Sequence, residues 1–138
     1  NYKLDYVNRF INMKIICILS DSHGYMDKSI INHIKNCNEV WHAGDIGDLK
    51  ICDELQNHCV LRAVYGNIDN HLIRNEFPEI NIFECEGLKI LMIHIGGYPK
   101  KYTNQTSNLI ETHKPDIFIC GHSPHMMFRA MFLTNTKL

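Results

Sequence analysis

Short apolar runs alternate along the chain with segments whose apolar residues recur at helical spacing. The runs have the length of strands and lie at 14–19, 39–42, 60–65, 80–84, 88–93 and 116–120. Segments 26–36, 49–58 and 105–113 instead carry apolar residues on one helical face, which predicts helices. The fourth and fifth runs are separated by three residues that end in Gly87, a hairpin signal. This order predicts an α/β protein with a mainly parallel sheet and an added antiparallel piece.

Five of the predicted strands lead into side chains of the types that bind metal ions. In chain order these residues are Asp21, His23, Asp45, Asn67, His94 and His122. Because the carboxyl ends of parallel strands form one edge of a sheet, loops leaving that edge can aim their side chains at one point. Asp21 and His23 are two residues apart, so both would face the same way in an extended chain. We therefore expect these side chains to form a common site.

The expected site combines two carboxylates, several imidazoles and one amide oxygen. This mixture suits Mn²⁺, Fe, Co²⁺, Ni²⁺ or Zn²⁺ better than a thiolate site or an all-oxygen site would. It also offers more ligands than one ion needs, which predicts two divalent metal ions about 3.5–4 Å apart. Among these metals we favour Mn²⁺.

Length, charge and cysteine pattern narrow the class of protein. The 138 residues suffice for one domain, which we expect at 13–138, with residues 1–12 an extension outside the fold. A net charge of −1 provides no basic field for a nucleic acid. The apolar runs are too short to span a membrane, and the six cysteines form no CxxC pair. We expect a cytoplasmic protein with a small substrate and no nucleic-acid or membrane partner; a homo-oligomer is left open.

The motifs at the strand ends resemble, in order and spacing, those of the calcineurin-like metallophosphoesterase superfamily. They are Asp21-Ser-His23, Gly44-Asp45, Gly66-Asn67, His94 and Gly121-His122. The stretches 42–47 and 63–69 are especially similar to the small single-domain, YfcE-like phosphodiesterase branch. The resemblance covers about residues 13–123. It implies a four-layer α/β/β/α sandwich and a hydrolase of phosphodiesters or phosphomonoesters.

The resemblance also implies a role for each motif residue. By this resemblance, Asp21 and His23 would bind the first metal, and Asp45 would bind both metals. Asn67, His94 and His122 would bind the second metal. Asp45, Asn67 and His94 would be the catalytic residues around a metal-bridging hydroxide that attacks phosphorus in line. Gly96 and Gly97 follow His94 and, with Asn67, are the predicted substrate contacts.

Two positions depart from the family pattern. Larger members carry a histidine after the motif asparagine as a general acid, whereas Ile68 stands there, as in the small branch, and cannot donate a proton. The family motif Gly-His-x-His puts a second histidine on the first metal, but here Pro124 intervenes and His125 comes one residue late. His125 is the seventh candidate ligand. Residues 124–138 do not resemble the family's further strands, so we expect a clipped or frame-shifted end and an incomplete sandwich.

Two alternatives to an active enzyme stay open: a non-catalytic metal-binding scaffold of the same fold, as the resembling retromer subunit of the vacuolar sorting machinery implies, and an inactive truncated copy. A phosphatase of the haloacid dehalogenase type is disfavoured, because His23 stands where that class needs a second Asp. Trp41 and His42 are predicted to pack in a strand. Asp48 and Asp69 are predicted to support the metal ligands.

Overall fold

The computed structural model describes residues 14–122 and the backbone of 128–133. Its strands are β1 (Lys14–Leu19), β2 (Glu39–His42), β3 (Val60–Ala63), β4 (Ile80–Cys85), β5 (Leu88–Ile93), β6 (Gly97–Tyr98), β7 (Lys101–Tyr102), β8 (Ile117–Cys120) and β9 (Phe128–Leu133). Its helices are α1 (Lys28–Ile34), α2 (Leu49–Gln56), α3 (His71–Glu76) and α4 (Asn104–His113). Every predicted strand and helix is present. Among the described residues, no helix is long and apolar enough to cross a membrane.

The first sheet has the strand order β3-β2-β1-β9. Strands β1, β2 and β3 are parallel, with Cys17 opposite Val40 and Val40 opposite Leu61. Strand β9 pairs antiparallel with the whole of β1. The segment after residue 123 was not expected to resemble the family's further strands of the second sheet, and its residues 128–133 pair with the first sheet.

The second sheet has the order β4-β5-β8, so the strands divide between two sheets rather than forming one. Strands β4 and β5 make the predicted hairpin, whose turn residues Glu86 and Gly87 both have positive φ, as a type I′ turn requires. Strand β8 returns parallel to β5 after the crossover helix α4. Helix α3 and the two-stranded β6–β7 ribbon were not predicted, because such short elements carry no readable periodicity.

Two apolar cores separate the layers. The first core joins Cys17 and Val40 of the first sheet to Ile34 of α1 and Leu55 of α2. The second lies between the sheets and joins Ile16, Ile18 and Trp41 to Ile90, Met92 and Ile119. Leu91 alternates with its neighbours in β5, so it faces the outer side of the second sheet, and it is buried there, as is Thr106 of the crossover helix α4. The fold is therefore the expected α/β/β/α sandwich, and the predicted packing of Trp41 is confirmed.

One carboxylate is buried at the opposite end of the first sheet from the predicted metal ligands. Glu39 accepts hydrogen bonds from Lys14 Nζ at 2.9 Å, Arg62 Nε at 2.7 Å and Trp41 Nε1 at 3.3 Å. Burial by itself would raise the pKa of Glu39, but the contacts with Arg62, Lys14 and Trp41 outweigh it and lower the pKa to about 2. The ionised form of Glu39 therefore stabilises the fold.

We expect Glu39→Gln to lower the free energy of unfolding at pH 7 by about 3 kcal/mol, because it leaves two cations beside a neutral group. The folded-state pKa lies below the ordinary value of 4.5. The stabilisation is therefore complete above pH 4.5 and is lost as the pH falls towards 2. Urea unfolding at several pH values measures it, with Glu54→Gln on the exposed face of α2 as the control. A difference that does not shrink between pH 4.5 and 2.5 would contradict this account.

Candidate metal centre

The loops after β1 and β2 are joined to each other by backbone hydrogen bonds beyond the ends of the strands. The backbone N–H groups of Asp21, His23 and Gly24 donate to the carbonyls of Gly44, Asp45 and Ile46 at 2.9, 3.0 and 2.7 Å. These bonds continue the parallel pairing of the two strands into their loops. They hold the side chains of three predicted ligands at one edge of the sheet, as expected.

Four of the predicted ligand residues have a left-handed backbone. Their φ angles are +57° for Asp21, +51° for His23, +56° for Asp45 and +59° for His122. Such angles are uncommon for residues other than glycine, and they persist where surrounding contacts enforce them, often at functional sites. The expectation that Asp21 and His23 share a face of an extended chain was therefore wrong. They meet because their loop is bent and held by the β2 loop.

Asp45 lies at the centre of the cluster. Its side chain is only 4% exposed, and its Oδ2 atom lies 3.2 Å from His94 Nε2 and 3.5 Å from His23 Nε2. Its other oxygen, Oδ1, accepts a hydrogen bond from the backbone N–H of Ile68 at 3.1 Å. One carboxylate oxygen is thus anchored, and the other faces two imidazoles.

His94 directs one ring nitrogen into the cluster. Its Nδ1 lies 2.7 Å from the carbonyl oxygen of Ala43, which can only accept, so Nδ1 carries a proton and Nε2 is the ring nitrogen left to bind a metal ion. That Nε2 atom is buried and has no hydrogen-bond partner among the described residues. It points towards Asp45 Oδ2 and, at 3.8 Å, Asp21 Oδ1. An imidazole nitrogen and carboxylate oxygens that converge in this way are donors that divalent metal ions accept, so the residues fit a metal.

The candidate ligands fall into two groups. Asp21, His23 and Asp45 offer ligand atoms that lie within 4.8 Å of one another, and so do Asp45, His94 and His122. Asp45 belongs to both groups. The rings of His94 and His122 are 5.2 Å apart, and the His122 N–H donates to Asp21 Oδ2 at 3.2 Å. The structure therefore brings five of the predicted ligands together around one shared carboxylate.

Asn67 lines a cleft together with His94. Gly96 and Gly97 line a smaller cavity of about 340 Å³ that includes His122. A side chain on Gly96 would lie 2.6 Å from the ring of Phe118, and Gly97 begins the β6–β7 ribbon with a φ of +84°. Packing and turn geometry thus account for both glycines, and their contact with substrate stays a prediction. His125 lies outside the described residues.

The glycines before the ligands are needed for space. A Cβ on Gly44 would lie 2.7 Å from His94 Nδ1, a Cβ on Gly66 would overlap the carboxylate of Asp45, and a Cβ on Gly121 would lie 2.8 Å from the carbonyl oxygen of Ala43. The sequence suggested that these glycines allow sharp turns. The structure shows that they allow three loops to pass close to His94, to Asp45 and to the Ala43 carbonyl.

Asp69 ties together the loops that carry the ligands. Its buried carboxylate accepts hydrogen bonds from the backbone N–H groups of Gly47 at 2.8 Å, Gly66 at 2.8 Å and Ile46 at 3.1 Å. Asp48, equally a candidate from the sequence, is exposed and instead caps α2 by accepting from Lys50 N at 2.9 Å. Of the two, only Asp69 supports the candidate metal centre.

His42 is fully buried, as predicted, and it also links two loops. Its Nδ1 accepts from the backbone N–H of Gly44 at 3.2 Å, and its Nε2 lies 2.9 Å from Ser22 Oγ, whose hydroxyl donates to the Ile46 carbonyl. Burial lowers the pKa of His42 to about 4, so the ring is neutral at pH 7. Sequence reasoning missed Ser22, which carries no local signal for this role.

Comparison with known proteins identifies the family that this chain resembles. The family model of the calcineurin-like phosphoesterase superfamily domain matches residues 13–131. The chain is 27% identical, over 85% of its length and 70% of the relative's, to a "Probable metallophosphoesterase" of Methanothermobacter thermautotrophicus. It spans 58–70% of the length of the curated relatives that it matches.

Two solved structures share the fold. A novel archaeal phosphodiesterase is 23% identical, with a TM-score of 0.59, over 83% of this chain and 76% of the other. Vps29 of Entamoeba histolytica, crystallised with Zn²⁺, is 16% identical, with a TM-score of 0.62, over 78% of this chain and 63% of the other. The family model covers most of the chain, including the two hydrogen-bonded loops after β1 and β2 that carry Asp21, His23 and Asp45. The chain therefore belongs to the calcineurin-like phosphoesterase superfamily.

Proposed function

We propose that this chain is a metal-dependent hydrolase of small phosphodiesters or phosphomonoesters that works with two divalent metal ions. The observation that carries the proposal is the shared carboxylate: Asp45 faces His23 on one side and the unpartnered Nε2 of His94 on the other. Mn²⁺ is the first choice, with Ni²⁺, Co²⁺, Zn²⁺ and Fe as alternatives. The domain would comprise residues 13–138.

Each group of ligands would hold one ion. Asp21 and His23 would serve the first, Asn67, His94 and His122 the second, and Asp45 both. When bound, the ions would supply an activated water near neutral pH and would neutralise charge on the phosphoryl oxygens. Hydrogen bonds already orient the ligands, from Ile68 N to Asp45 and from His94 to Ala43 O.

The chain offers no proton donor at the position after Asn67. Ile68 occupies that position, and its side chain is 47% exposed. Departure of a leaving group there would proceed without acid help, which is typically worth about 10²–10⁴-fold. The proposed enzyme is thus best suited to esters with good leaving groups.

Two observations are relevant to whether the chain is an active enzyme or a non-catalytic scaffold. The Vps29 structures share the fold but, at this identity, indicate the fold alone. A scaffold needs no complete ligand set, yet all six motif ligands are present here.

The six free cysteines fit a reducing compartment, so we place the enzyme in the cytoplasm. The net charge of −1 favours a small substrate over a nucleic-acid chain.

Removing and restoring metal tests the function. We expect hydrolysis of bis-p-nitrophenyl phosphate to fall to background after chelation and dialysis, and to return best with Mn²⁺, Co²⁺ or Ni²⁺. Metal analysis of the reloaded chain should approach two ions. Tight metal binding without hydrolysis would favour the scaffold, whereas hydrolysis that survives chelation would exclude the metal mechanism.

A further inference from the structure

A cleft of about 480 Å³ opens beside the candidate metal centre, between α3 and the start of α4. Asn67 and His94 both line it, so the ester group of a substrate whose phosphoryl group lies at the metal centre could extend into it. Pockets of about 300–1,000 Å³ typically bury whole small-molecule ligands. The cleft is therefore much larger than a phosphoryl group requires, and the ester group of the substrate is its natural occupant.

One wall of the cleft is apolar although it is open to solvent. Ile95, which directly follows His94, is 40% exposed, and the half-buried ring of Tyr65 lies close by in the same cleft. A large apolar side chain left exposed next to a catalytic centre is a typical contact for a flat, apolar group of a ligand.

The remaining walls carry polar groups with unused hydrogen-bonding capacity. The Arg74 guanidinium donates to the carbonyls of Asp69 at 2.7 Å and Asn67 at 3.2 Å and lies 4.7 Å from the Tyr65 ring. These contacts fix its position but use only two of its five N–H donors. Within the described part of the chain, neither Gln105 nor Glu79, which also line the cleft, makes a side-chain hydrogen bond or ion pair.

We propose that this cleft binds the nucleoside of a mononucleotide ester. A nucleobase has apolar faces that suit Ile95, and edges that present both donors and acceptors to Arg74, Gln105 and Glu79. A simple alkyl group would displace water from those polar groups without replacing its hydrogen bonds, and a purely ionic group would leave Ile95 uncovered. The inference rests on the proposed function, because it places the phosphoryl group of the nucleotide at the metal centre.

Two monoanionic esters with the same leaving group test the proposal: the p-nitrophenyl ester of thymidine 5′-monophosphate and methyl p-nitrophenyl phosphate. On the Mn²⁺-loaded protein, kcat/KM should be at least about tenfold higher for the thymidine ester. Gln105→Leu should reduce that ratio several-fold, because it removes the amide and keeps the size. Gln56→Leu, on an exposed position of α2, is the matched control and should leave the ratio unchanged.

A binding measurement keeps the test independent of turnover. Calorimetry on the Mn²⁺-loaded protein should show thymidine or adenosine 5′-monophosphate binding at least about tenfold more tightly than methyl phosphate. If neither ester is hydrolysed, the proposed function fails, and this comparison still decides the nucleoside site. Equal kcat/KM for the two esters together with equal binding of the three phosphates overturns the proposal, as does an equal effect of both glutamine substitutions on the ratio.

Discussion

Asp45→Asn should lower the hydrolysis of bis-p-nitrophenyl phosphate by about 10³-fold, which corresponds to about 4 kcal/mol of transition-state stabilisation. The reason is geometric, because Asp45 is the one carboxylate that both groups of candidate ligands share. Replacing its charged Oδ2 with an amide nitrogen removes a ligand from both proposed ions at once. No other single substitution among the described ligands touches both groups.

The same variant should keep its fold. An asparagine can still accept the hydrogen bond from Ile68 N through its oxygen, and its nitrogen would lie where Oδ2 is now, 3.2 Å from His94 Nε2. The metal-free variant should therefore melt no lower than the metal-free unaltered chain.

Thermal melting with and without Mn²⁺ separates the two effects. Saturating metal should raise the Tm of the unaltered chain by roughly 5–10 °C and leave that of Asp45→Asn unchanged. Asp53→Asn, on the exposed face of α2, is the control and should behave as the unaltered chain. A metal-induced rise of equal size in the Asp45 variant would show that Asp45 is not a ligand.

Asp69→Asn should weaken metal binding by about 10–100-fold although this residue touches no proposed ion. Its carboxylate accepts three backbone N–H groups, from Ile46, Gly47 and Gly66, and so holds the Asp45 loop against the Asn67 loop. An amide has only one acceptor oxygen, so at least one of these backbone N–H groups would face the NH2 group of the asparagine instead of an acceptor. That mismatch should also lower the free energy of unfolding by about 1–3 kcal/mol.

Asp48→Asn is the matched control for this prediction, because Asp48 lies in the same segment of the sequence as Asp45 but only caps α2. Asparagine caps helices as well as aspartate does, so stability and metal affinity should stay unchanged. Calorimetric titration with Mn²⁺ and urea unfolding measure both quantities. Equal metal affinity in the two variants would show that the hydrogen bonds of Asp69 do not position the ligands.

The first and last residues of several strands can be predicted from the local sequence. Strands β1, β2 and β5 begin and end at the predicted residues, because the run of residues that forms each strand can be read from its own sequence. Helix α3 could not be predicted in this way. It has six residues and buries only Ile73, and it depends on the side chain of Asn70, which accepts from Ile73 N, and on the contacts of Arg74 with the Asn67 loop. Those contacts exist only once β3 and its loop are in place.

The sequence by itself determined which residues could bind metal and that they stand at strand ends, because residue type and apolar periodicity are local properties. Only the tertiary structure decided how they meet. The left-handed backbone of Asp21 and His23 is enforced by hydrogen bonds to the β2 loop, and the proton on His94 Nδ1 is held by the Ala43 carbonyl. Asp48 and Asp69 looked alike in sequence, and packing made one a helix cap and the other the tie between two ligand loops. Such roles depend on neighbours distant in the chain, so no local pattern carries them.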